Sequence, residues 1–62
     1  MNERAIIQNC IEALAEQRGI MEGRAEQSAK RDQYAEALEF QAIGRGLSLA
    51  MARLEEMKAE TK

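Results

Sequence analysis

Between Tyr34 and Met57, apolar residues recur three or four positions apart, or at the sum of seven, along two separate tracks. Tyr34, Leu38, Ala42, Leu49 and Ala52 form one track; Phe40, Ile43, Leu47, Ala50, Met51, Leu54 and Met57 form the other. This period belongs to a helix, and a helix apolar on two sides needs two neighbours. The first half of the chain repeats the pattern. Ile7, Ile11, Leu14, Met21 and Ala25 make one stripe, and Ile6, Cys10, Ala13 and Ile20 make a second. No stretch alternates apolar and polar residues as a half-buried strand would. Proline is absent and helix-favouring residues dominate, so the chain is expected to be all-α.

The expected architecture is a helical hairpin, with a first helix at about 2–27, a turn at about 28–32 and a second helix at about 33–59. Asn2 is the expected N-cap of the first helix, with Glu3 well placed for the helix dipole. Ser28 and Asp32 are cap-type residues inside the turn segment. The alternative is three short helices, broken near Gly19–Gly23 and Gly44–Gly46. In the hairpin, facing residues have numbers adding to about 63, which sets Leu14 against Leu49, Met21 against Ala42 and Ala25 against Leu38. That register leaves a surplus apolar face.

With 62 residues there is one domain and little core, so such chains usually need a staple. Cys10 is the only cysteine, which excludes an internal disulfide. With no histidine, a zinc site is not expected, nor is any other metal or cofactor. Oligomerisation is the remaining staple. The surplus face therefore predicts a homodimer closing a four-helix bundle, with coiled-coil-like packing through Ile6, Cys10, Ile20, Phe40, Ile43, Leu47, Ala50, Met51, Leu54 and Met57. Cys10 is expected to behave there as a small buried hydrophobe.

Gly44 and Gly46 flank Arg45, and Gly44 falls opposite Gly19 in the expected register. Each glycine costs about 1 kcal/mol relative to alanine in a helix interior, so close packing or a shared kink is expected at this waist. Arg18 and Arg45 meet at the same level, either as a polar layer that sets register or as an anion-contacting waist. Arg24, Lys30 and Arg31 form a basic corner, the candidate nucleic-acid contact, with Glu26 placed to pair with Lys30.

The net charge of −2, with both signs interspersed, gives no broad footprint for nucleic acid or an anionic membrane. The opening MNERAIIQNC is not expected to act as a signal peptide, and a lone cysteine suits a reducing compartment, so a cytoplasmic location is expected. The glutamates fall on polar faces and no catalytic constellation is present, so an enzyme is not expected.

In length and plan the chain resembles the Rop family of plasmid proteins, helical hairpins that dimerise into four-helix bundles. The resemblance is architectural and carries over no functional residue. It implies RNA or DNA binding by a dimeric bundle as the alternative function. The leading expectation is a non-catalytic regulator, inhibitor or assembly factor that binds another protein. Phage and plasmid accessory proteins supply the precedent.

Overall fold

The computed structural model describes residues 2–61 and contains two long helices, α1 (Glu3–Lys30) and α2 (Tyr34–Glu60). They pack against each other as an all-α hairpin, and no described residue lies in a strand. Both helices run through their glycines without a break, so the three-helix alternative is overturned. All four glycines keep negative φ.

α1 begins where its sequence signals said. Asn2 is the N-cap, and its Oδ1 accepts from the Ala5 amide at 2.8 Å. The helix ends later than expected, because Ser28, Ala29 and Lys30 continue it. Lys30 pairs with Glu26 at 3.3 Å, one turn back, and favours that continuation. The reversal occupies Arg31–Gln33. Asp32 adopts φ 60, the left-handed conformation usual for the residue just past a helix end. The Asp32 amide donates to the Ala29 carbonyl at 3.1 Å, and the Gln33 amide donates to the Ser28 carbonyl at 2.8 Å. Those two bonds make a Schellman motif with aspartate where glycine is usual. The Tyr34 hydroxyl donates to Asp32 Oδ1 at 2.9 Å and steadies the turn.

The later turn changes which face of α2 points inward. On α1 the seam is Ile7, Ile11, Leu14, Arg18, Met21, Ala25 and Ser28, the expected stripe. On α2 it is Ala37, Phe40, Gly44, Leu47, Met51, Leu54 and Lys58. Both series step alternately by three and four, the spacing of coiled-coil packing. The expected inner track of α2 is instead on the surface: Tyr34 is 62% exposed, Leu38 60% and Leu49 73%. Facing residues add to about 65 rather than 63, and two residues along a helix turn it by about 200°. The second helix therefore presents its opposite side.

The seam is thin. Ile11, Ala25 and Ala37 are the buried apolar residues, and no large side chain among the described residues is fully buried. The radius of gyration is 14.4 Å, against about 11 Å for a compact domain of this length.

Candidate functional site: two broad faces of the hairpin

A hairpin two helices wide and one deep has two broad faces, and here they differ in chemistry. One face is polar. Arg18 Nη1 donates to Ser48 Oγ at 3.3 Å, and Lys58 Nζ donates to Gln8 Oε1 at 2.7 Å, both across the seam. Arg18 also approaches Glu22 at 3.8 Å. An open groove of about 330 Å³ lies beside them, lined by Glu22, Phe40, Gln41, Gly44, Arg45 and Ser48. Arg45 is exposed at its rim and does not meet Arg18 across the seam as expected. The rotation of α2 moved it outward and put Ser48 in reach of Arg18. The polar layer is thus an arginine–serine pair.

The glycines do not serve close approach within the hairpin. A Cβ added at Gly19, Gly23, Gly44 or Gly46 would meet nothing within 4 Å. Gly44 is buried at the seam, level with Met21 rather than Gly19, while the other three are exposed. That open space overturns close packing between α1 and α2 as their explanation, and the continuous helices exclude a break there.

The other broad face is apolar over more than half its length. From α1 it carries Ile6, Cys10, Ala13 and Ile20; from α2 it carries Ile43, Ala50 and Met57. Ile6, Ile20, Ile43 and Met57 remain 39–49% exposed. At the open end, Ile6 and Met57 share a shallow depression of about 350 Å³ with Glu3, Ile7 and Thr61. Cys10 is an exposed free thiol on this face and not a buried residue of the hairpin.

The expected interface set thus divides. Ile6, Cys10, Ile20, Ile43, Ala50 and Met57 stand together on one exposed face, whereas Phe40, Leu47, Met51 and Leu54 are half-buried in the hairpin's own seam. Sequence periodicity found both tracks of α2 but assigned the seam to the wrong one. The signal that could have corrected it is the unbroken alternation of three and four among apolar or small residues from Ala37 to Leu54, which matches the spacing of the α1 stripe.

The basic corner is mixed in charge. Lys30 is held by Glu26, and Arg24 and Arg31 border a depression of about 260 Å³ with Gln27, Ser28, Glu36 and Phe40. Ser28 Oγ donates to Glu36 Oε1 at 3.1 Å, which keeps that carboxylate beside the two arginines.

No cluster of three or more potential metal ligands occurs among the described residues. No described helix is long and apolar enough to cross a membrane. No protein family matches the chain, and no curated protein or solved structure matches it either.

Proposed function

We propose that this chain acts by protein–protein interaction and without catalysis, as a small regulator, inhibitor or assembly factor built on a homodimeric four-helix bundle. The observation that carries the reading is the apolar face of Ile6, Ile20, Ile43 and Met57, left exposed by a hairpin with almost no core. The surface area supports it. The hairpin exposes 4709 Å², whereas folded monomers of 7.0 kDa expose about 4000 Å². The excess of about 700 Å² approaches the roughly 800 Å² that each partner buries in a standard interface. Covering this face with a second copy gives each helix its second neighbour. Tyr34, Leu38 and Leu49, on the outside of α2, stay exposed in such a bundle and offer surface for a further protein.

Light scattering during size exclusion tests the dimer. The expected mass is twice the 7.0 kDa of one chain, with a melting temperature that rises with concentration. Ile20→Glu and Ile43→Glu should each shift the protein toward monomer and lower its melting temperature. A folded monomer at tens of micromolar would overturn the reading.

A further inference from the structure

We infer, on the basis of the homodimer proposed above, that the second copy packs with its turn at the same end, so that α1 of each chain lies on α2 of the other. Two-fold pairing of the apolar faces allows two arrangements. With turns together, each helix meets the opposite helix of the second copy at the same level. With turns at opposite ends, each helix meets its own copy. The apolar residues fit both. Turns together set Ile6 on Met57, Ala13 on Ala50 and Ile20 on Ile43; turns apart set Ile6 on Ile20 and Ala13 on Ala13.

Charge separates the two. On the turn-proximal part of this face the α1 edge is basic, with Arg24 and Arg31, while the α2 edge is acidic, with Glu36 and Glu39. Turns together bring Arg24 opposite Glu39 and Arg31 opposite Glu36, each twice by symmetry. The unfavourable contact is Glu3 near Glu60, at the ends of the helices where both are exposed. With turns apart, the pairing must centre on the apolar stretch near Ala13 and Ala50, which lies closer to the open end. Arg24 then reaches Glu3 of the second copy, but Glu39 falls near Glu60 of the second copy, and Arg31 and Glu36 overhang with no partner beyond their own chain. Each surface pair contributes little alone. They decide the orientation because the apolar contacts are balanced and each arrangement carries one like-charge contact, so the additional opposite-charge pair favours turns together.

The test is a distance between nitroxide labels on full-length Cys10→Ser/Gln33→Cys protein. Gln33 lies in the turn, and its side chain makes no capping bond. Helix axes in a bundle lie about 10 Å apart, so turns together should place the two labels within roughly 25 Å of each other. Turns apart would separate them by about the 48 Å length of the hairpin or more, and would overturn the inference while leaving the dimer intact. A folded protein with no dipolar coupling would remove the dimer, and this inference with it. A charge swap gives an independent arm. Arg24→Glu should weaken the dimer about five-fold, and adding Glu39→Arg should restore it. Failure of that rescue, in a dimer that stays folded, would overturn the charge basis for the orientation.

Discussion

The Gln33 amide donates to the Ser28 carbonyl at 2.8 Å, and this bond ends α1 and fixes where α2 starts. With the left-handed Asp32 between them, the chain reverses one residue later than its cap-type residues suggest. Every contact along the seam inherits that position.

Asp32 holds a conformation that glycine adopts freely and other residues adopt at a cost. Asp32→Gly should therefore stabilise the hairpin by about 0.5–1 kcal/mol, less the loss of the Tyr34 bond. Asp32→Val should destabilise it by more, because a β-branched side chain fits this region poorly. Thermal melts followed by circular dichroism check both, and a more stable valine variant would contradict the assigned turn.

The two helix starts are unequal. Asn2 caps α1 through its side chain, while Gln33 gives α2 no side-chain cap. Asn2→Ala should cost about 1 kcal/mol, and Gln33→Asp should add about as much by capping α2 and opposing its dipole. Chemical denaturation at fixed protein concentration measures both changes.

The register itself is testable by truncation. Ile11→Ala removes a buried side chain and should cost about 2–4 kcal/mol, most of what a core this small supplies. Leu49→Ala removes one that is 73% exposed and should change stability by less than about 0.5 kcal/mol. Equal losses at the two positions would mean that Leu49 also packs inward.

Gly19 and Gly23 sit on exposed helix with open space where a Cβ would stand. Replacing each by alanine should stabilise the chain by about 0.5–1 kcal/mol, through helix propensity alone. Gly44→Ala should do at least as well, since its Cβ enters the seam without a clash. A loss of stability at Gly19 or Gly23 would point to a neighbour packed against that site, and scattering on the same variant would show whether assembly is lost.

Much of the fold was legible in order along the chain. Spacing of three and four, without proline or strand alternation, specified helices, and Asn2 specified the first start. The Glu26–Lys30 pair and the inner stripe of α1 also followed from local spacing, because i,i+4 neighbours are set by one helix alone. The exposed face of Ile6, Cys10, Ile20, Ile43, Ala50 and Met57 was legible too, as residues for which one hairpin has no second neighbour. Which track of α2 faces α1 was not. Both tracks are apolar, so periodicity admits two solutions, and a turn displaced by one residue exchanges them by rotating α2 about 200°. Only the tertiary structure decided between them. It did so through a left-handed Asp32 where no glycine marks a turn, and it placed Phe40, Leu47, Met51 and Leu54 inside while leaving Tyr34, Leu38 and Leu49 outside.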